Sequence, residues 1–352
     1  MVGKYITESD KINKIFEANF VNLSTSFSLQ EIGKGGFGKV LSIVKVLYNV
    51  WKALRKKDYD LCYMTLTAKG AGFYKDFLIV LLLKLYQKKI IYHFHNKGVQ
   101  QSSLNWFNDK LYRFVFKNTN SIVLAPSLYK DLQKYVNEQD VYICPNGIPD
   151  LKTSDLRPGK IKQDDICRFL FLSNMMQEKG VVDLLEACSL LQQRKVMFEC
   201  HFIGAWSDIT ADFFNSKLLE LHLKDSVFPH GKKYGDDKLK YFKNSDVFVF
   251  PTYYHNECFP LVLLEAMQQS LPIISTPEGG ITDLVAQGTT GFLVPQKNVK
   301  ELAEHLQLLV ENRSLREQLG KAGRERFEEL YTLSTFENRL CSILDDTIDK
   351  KF

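Results

Sequence analysis

The sequence predicts an α/β protein of two doubly wound parallel-sheet domains, and three observations lead there. Short apolar runs alternate with longer amphipathic ones from end to end. A polar stretch near the middle, PDLKTSDLRPGKIKQDD, interrupts that alternation and reads as a linker. The 352 residues exceed what one ordinary core organises, and two domains of roughly 150 to 180 residues are the natural division. Parallel strands need a crossover between them, usually a helix, so this rhythm implies sheets covered on both faces.

The elements follow in order. In the first domain, residues 1–150, strands are expected at FVNL (20–23), CYMTL (62–66), KIIYHFH (89–95), SIVLAP (121–126) and VYICP (141–145). Helical spacing covers 7–17, 38–56, 73–87, 104–117 and 127–137. The linker takes 151–165, and a second domain takes 166–335. Its strands are expected at RFLFLS, MFECHFIG, SVFPHG, DVFVFP, LPIIST and GFLVP. Its helices are expected at 180–193, 210–222, 235–243, 260–269, 281–286, 298–311 and 313–330. A C-terminal helix, 336–352, is expected to pack back toward the first domain.

Composition narrows the function classes. Hydrophobic content of 45% and charged content of 25% are those of a globular protein with material for two cores. The longest apolar run, Phe77 to Leu83, is far too short for a bilayer span. The start, MVGKYITESDKINK, goes straight into polar residues, with no secretory pattern. Seven scattered cysteines without C-x-x-C spacing read as reduced thiols of a cytoplasmic protein. The net charge of +5 is unevenly spread: residues 1–150 hold 21 Lys and Arg against 12 Asp and Glu, and the rest hold 25 against 29. A basic first half beside an acidic second half suggests different partners for the two domains.

One glycine pattern invites a kinase reading. LQEIGKGGFGKV (29–40) contains the G-x-G-x-x-G-x-V spacing of a kinase phosphate loop. A kinase also needs a strand lysine, H-R-D and D-F-G. Lys45 falls in a helical pattern, and the sequence contains no H-R-D, D-F-G or A-P-E. Gly33, Gly35, Gly36 and Gly38 therefore read as a surface loop ahead of a helix.

The second half carries stronger chemistry. FVFPTYYHNECFPLVLLEAM sets Glu257 in a loop and Glu265 within the helix that Pro260 starts. Open α/β sheets bind ligands at the carboxyl ends of their strands, and DVFVFP ends just before this loop. The first turn of that helix offers free amides and a positive dipole end to an anion such as a diphosphate. A carboxylate farther along repels phosphate but accepts hydrogen bonds from sugar hydroxyls, so phosphate at the helix start and ribose near Glu265 suit a nucleotide. Gly279 and Gly280, in STPEGGITDLV, mark a second point where backbone can approach a ligand closely.

These motifs resemble the retaining GT-B glycosyltransferases of family 4. The likeness rests on E-C-F-P-L-x-x-L-E-A-M, P-E-G-G-I-x-D-L-V and G-x-T-G-F-L-V, with SNMMQEKGVVDLLEA (173–187) and CPNGI (144–148) as further landmarks. The resemblance implies two Rossmann-like domains facing each other across a cleft, the first binding acceptor and the second nucleotide sugar. It implies that Glu257 lies against the donor sugar, Glu265 holds the ribose hydroxyls and Lys179 contacts the donor phosphates. The backbone from Phe259 to Leu261 completes the phosphate cradle, and Gly279 and Gly280 shape the donor side. His95 matches a family histidine beside the reacting centre, and His93, of the same side-chain parity, is the alternative. The implied reaction moves a sugar from a UDP- or GDP-sugar to a glycan or lipid-linked acceptor with retention, in cell-surface polysaccharide synthesis. It needs no cofactor, no metal and no nucleic acid. Asp58-Tyr59-Asp60 reads as a strand lead-in rather than a metal motif.

Two departures accompany the resemblance. Asn174 stands where the family has a phosphate-binding arginine. The chain also lacks the apolar first strand and glycine loop with which family members begin, since TESDKINKIF looks like the first helix. A misassigned start or a fragment is the expectation from that departure, and a non-catalytic GT-B partner subunit is the alternative function. On the acceptor side, LNWFNDKLYRFVFK (104–117) forms a basic aromatic helix suited to peripheral contact with the inner face of the cytoplasmic membrane.

Overall fold

The computed structural model describes residues 2–24, 37–151 and 166–350. The chain divides into two compact units, one of Met1–Cys144 with Glu337–Phe352 and one of Pro145–Phe336.

In the first unit, four parallel strands run in the order β1 (Cys62–Thr65), β2 (Ile90–His93), β3 (Asn120–Val123) and β4 (Val141–Ile143). Every residue of β2 and β3 is buried, as expected of parallel strands covered on both faces. Helix α1 (Phe37–Lys56) precedes β1, α2 (Gly70–Leu85) connects β1 to β2, and α3 (Trp106–Phe116) lies between β2 and β3. Right-handed crossovers between strands in sequential order put α2 and α3 on the same side of the sheet. The two helices meet there, with the Phe77 and Phe114 rings 5.7 Å apart and the Tyr74 hydroxyl donating to Asn108 at 2.9 Å. Asn105 caps α3, its side chain accepting the Phe107 amide at 3.0 Å. The end of the chain belongs to this unit: Lys89 donates to the Ile348 carbonyl at 2.6 Å, and Lys350 pairs with Asp140 at 2.8 Å.

Three expected elements differ. The helix over 7–17 is broken at Ser9 into Val2–Glu8 and Asp10–Ile15, because the Ser9 hydroxyl accepts the Ile12 amide at 3.2 Å and starts a new helix. FVNL is not a strand: Asn22 folds back to accept the Ser24 amide at 2.9 Å, a local bond that competes with sheet pairing. Of the helix over 127–137 only a 3-10 turn, Pro126–Asp131, forms. There the Asp131 carboxylate is engaged by the amides of Gly98, Val99 and Gln100, and the Tyr129 hydroxyl reaches back to the Val136 carbonyl.

Among the described residues β1 is an edge of its sheet. An apolar cavity of about 380 Å³ lies along it, lined by Ile12, Phe20, Leu54, Met64, Leu83 and Leu344 among others. The first strand that the family resemblance calls for is not among the described residues. Asp58 pairs with Lys88 just before β1, and Lys45 lies on α1. Gly33, Gly35 and Gly36, and most of the linker, lie outside the described residues, whereas Gly38 falls within α1.

The second unit holds six parallel strands: β5 (Cys167–Leu172), β6 (Phe198–Ile203), β7 (Val227–Pro229), β8 (Val247–Phe250), β9 (Ile273–Ser275) and β10 (Gly291–Leu293). Their spatial order is β10-β9-β8-β5-β6-β7, a doubly wound sheet whose direction of winding reverses between β5 and β8. The helices are α4 (Val181–Gln193), α5 (Ala211–Glu220), α6 (Gly235–Asn244), α7 (Leu261–Gln268), α8 (Val299–Glu311) and α9 (Arg313–Leu330). Side-chain caps mark several of their starts: Thr210 accepts the Phe213 amide, Asn298 the Glu301 amide and Asn312 the Leu315 amide. The core between the layers is aromatic, with Phe169, Phe171, Phe202, Phe214, Phe248 and Phe250 all fully buried.

Candidate functional site

The reversal between β5 and β8 locates the site. In a doubly wound sheet the crevice outside the carboxyl ends of the two strands at the reversal is where a ligand fits. Lys179 follows β5 and Glu257 follows β8, so the sheet order joins two residues 78 positions apart in the chain. Their side chains form an ion pair in which each is only 12% exposed. The Lys179 ammonium also stands 4.5 Å from the centre of the Tyr254 ring and 5.4 Å from that of Phe250.

Backbone contacts fix this geometry. Lys179 ends a 3-10 turn, Gln177–Lys179, and Gly180 follows with φ of +80°. A Cβ at Gly180 would stand 2.2 Å from the Pro251 carbonyl oxygen, so only glycine lets the turn sit against the loop after β8. The Glu178 carbonyl accepts the Tyr253 amide at 2.8 Å and the Thr252 hydroxyl at 3.2 Å, stitching the two loops together. Burial first, and then the nearby Asp183 and Glu178 carboxylates, raise the Tyr253 phenol above its ordinary value.

Gly279 and Gly280 bear on the same loop from the other side. The Gly280 amide donates to the Cys258 carbonyl at 2.7 Å, and a Cβ at Gly279 would come within 2.3 Å of the Glu257 carbonyl oxygen. The close approach these glycines make is to the backbone that carries Glu257, whereas the approach expected from the sequence was to a ligand.

Pro260 is the residue before α7 and Leu261 its first member, one position later than expected. No side chain caps this helix, and the Leu263 amide donates to the Pro260 carbonyl at 3.1 Å. Phe259 is buried with its ring 6.1 Å from that of Tyr331, and Leu261 is half-buried. Glu265 stands one turn into α7. Its Oε1 accepts from Lys238 on α6 at 2.6 Å, and its Oε2 is buried with no hydrogen-bond partner among the described residues. Asn174 lies exposed at the end of β5, its carbonyl accepting the Met176 amide.

Lys179, Glu257, Phe259, Leu261, Glu265, Gly279 and Gly280 therefore fall on connected loops and one helix of the second unit. His95 belongs to the first unit, half-buried just beyond the end of β2. Its ring lies 4.2 Å from that of His93. His93 is fully buried, with Nδ1 2.7 Å from the Tyr63 hydroxyl. Burial, and then the neighbouring His95, hold the His93 imidazole well below its usual range, which keeps it neutral. Both ring nitrogens of His95 are buried as well, although the residue as a whole is half-buried. The Asn96 side chain accepts the Ala68 amide at 2.7 Å, which steadies the segment after it.

Lys238 and Tyr254 escape the sequence reading. Lys238 sits in GDDKLKYFKN, which looks like any solvated helix, and only the packing of α6 near α7 reveals its partner.

Two parallel-sheet Rossmann-like units of this kind are the fold of the GT-B glycosyltransferases. The structure of Anabaena Alr3699/HepE in complex with UDP superimposes with a TM-score of 0.72 at 16% identity, covering 89% of this chain and 84% of that one. Residues 154–326 match the family model of the Glycosyl transferases group 1. The chain is 30% identical over 162 residues to the capsular polysaccharide biosynthesis glycosyltransferase CapM of Staphylococcus aureus, covering 46% of this chain and 41% of CapM. It is 27% identical over 182 residues to the amylovoran biosynthesis glycosyltransferase AmsK of Erwinia amylovora, covering 51% and 44%. It thus spans less than half the length of these curated relatives. The similarity to the group 1 glycosyltransferases lies in residues 154–326.

Proposed function

We propose that the protein transfers a sugar from a nucleoside diphosphate sugar to a glycan or lipid-linked acceptor, with retention of anomeric configuration, in cell-surface polysaccharide synthesis. The observation that carries this reading is the cation–carboxylate group at the sheet reversal, with Glu265 on α7 presenting a buried oxygen that has no hydrogen-bond partner among the described residues. Lys179 and the first amides of α7 supply positive potential where the leaving diphosphate gains charge, so protein groups perform the electrostatic work without a metal. Glu265 accepts the ribose hydroxyls, Glu257 lies against the donor sugar, and Asn174 borders the phosphates. His95 is the first unit's candidate for a role in the reaction, as the resemblance implies. The UDP bound in HepE favours a uridine donor as the first to try, with GDP-sugars next.

The lipid-linked acceptor is supported by the outer face of the first unit. Tyr74, Leu78, Leu81 and Leu85 on α2, and Leu104, Trp106, Phe107 and Phe114 on or beside α3, are exposed. Lys84 covers the Phe114 ring and Lys110 the Trp106 ring, so apolar and basic groups share one surface. The face thus extends onto α2, beyond the 104–117 helix. None of the described helices is long and apolar enough to cross a membrane. Peripheral work at the inner face of the cytoplasmic membrane fits these features.

The test is turnover of a panel of UDP- and GDP-sugars, with release of nucleoside diphosphate as the signal and the anomeric configuration of the freed or transferred sugar read by proton NMR. One donor class is expected to turn over with retention. Inversion removes the mechanism, and no turnover with any donor or acceptor favours the non-catalytic alternative.

A further inference from the structure

Glu265 does not act alone. The Lys238 ammonium donates to its Oε1 at 2.6 Å while Oε2 lies buried and unpartnered among the described residues. The side chains of Lys238 and Glu265 are 26% and 22% exposed, so solvent screens the pair only in part. We propose that Lys238 is a positioning residue for the nucleotide, holding the Glu265 carboxylate in the orientation that receives the vicinal hydroxyls of a ribose. The inference rests on the nucleotide-sugar reading of this site.

An ionised carboxylate offers about four lone-pair sites. Lys238 uses one of them and leaves Oε2 whole, so lone-pair capacity for two hydroxyl donors remains. A diphosphate at the start of the same helix raises the cost of a second anionic group one turn away, and a cation in contact with that group offsets the cost. A carboxylate already fixed in plane also loses less freedom when the diol arrives.

The placement of Lys238 follows from its helix. Residues three and four positions apart share a helix face, so Lys238, Tyr241 and Phe242 lie together on α6. Phe242 is buried with its ring 5.8 Å from Phe248 of β8, and Tyr241 lies 4.7 Å from the His230 ring. These aromatic anchors seat α6 against the sheet and aim Lys238 at α7. A bland surface ion pair would lack this anchorage.

Calorimetric titration of the full chain with UDP and with GDP tests the assignment. The variants are Lys238→Met, Lys238→Arg, Glu265→Gln and the Lys238→Met/Glu265→Gln double, with melting curves run alongside. Wild type is expected to bind one of the nucleotides. Lys238→Met and Glu265→Gln are each expected to weaken it about tenfold or more, as loss of a charged hydrogen bond does. Lys238→Arg keeps binding within about threefold, because the charge is preserved. The double variant binds no more weakly than the worse single one, because Lys238 acts through Glu265. Wild-type affinity in Lys238→Met overturns the inference and leaves the nucleotide reading standing, and so do additive losses, which would make Lys238 an independent contact. A wild type that binds neither nucleotide removes the nucleotide reading and this inference together. If Lys238→Met melts early, the arginine variant and the double-variant comparison still decide.

Discussion

The Lys179–Glu257 pair sets the behaviour of the site at the scale of single residues. Both side chains are largely buried, and each satisfies the charge of the other. A diphosphate that is to meet Lys179 must therefore compete with Glu257 for the same ammonium. Glu257→Gln is accordingly expected to bind nucleoside diphosphate several-fold more tightly while losing most sugar transfer, because the competing carboxylate is removed along with its contact to the donor sugar. Titration of UDP or GDP beside a transfer assay checks the split, and weaker nucleotide binding in Glu257→Gln would contradict the competition. Glu257, Glu265 and Lys179 were legible because they lie in motifs with fixed spacing. Lys238 was not, because its partnership with a residue 27 positions away depends on how α6 packs, which leaves no local trace. Asn22 and Ser9 misled the reading for a related reason: a single side-chain bond to a nearby amide redirected the backbone against its apolar pattern.

Among elements, the strands of both sheets were the most legible. VFVF and IIYH are continuous apolar runs that only a doubly covered parallel strand accommodates, and both are buried throughout. The segment after β3 was less so, because its helical spacing competes with the use of Asp131 as a cap for the turn at Gly98–Gln100. The surface role of α2 was also hidden. Its sequence, GAGFYKDFLIVLLLKL, reads as core, yet Leu78, Leu81 and Leu85 point outward beside the aromatic groups of α3. If this face meets anionic lipid, the chain floats with phosphatidylglycerol vesicles at low salt, binds phosphatidylcholine far less, and loses flotation in Leu85→Glu or Trp106→Glu. Both positions are exposed, so neither change disturbs the core. Equal flotation in wild type and the two variants, or none at all, would remove the membrane face.

For the whole molecule, the charge asymmetry seen in the sequence falls on two units of different character. The basic first unit presents the apolar face of α2 and α3, and the second holds the acidic and cationic groups of the candidate donor site. Two units were legible from length and alternation. The boundary after Cys144 is a matter of tertiary packing that the sequence does not show, while the segment from Glu337 belongs with the first unit, toward which the C-terminal helix was expected to pack. The order of strands was equally invisible in the sequence, yet the reversal between β5 and β8 is what turns two distant motifs into one site. The most direct test of that site is a crystal structure with a UDP- or GDP-sugar bound. The diphosphate is expected between Lys179 and the first turn of α7, with the ribose hydroxyls on Glu265. A nucleotide held elsewhere, or a ribose turned away from Glu265, would contradict the account.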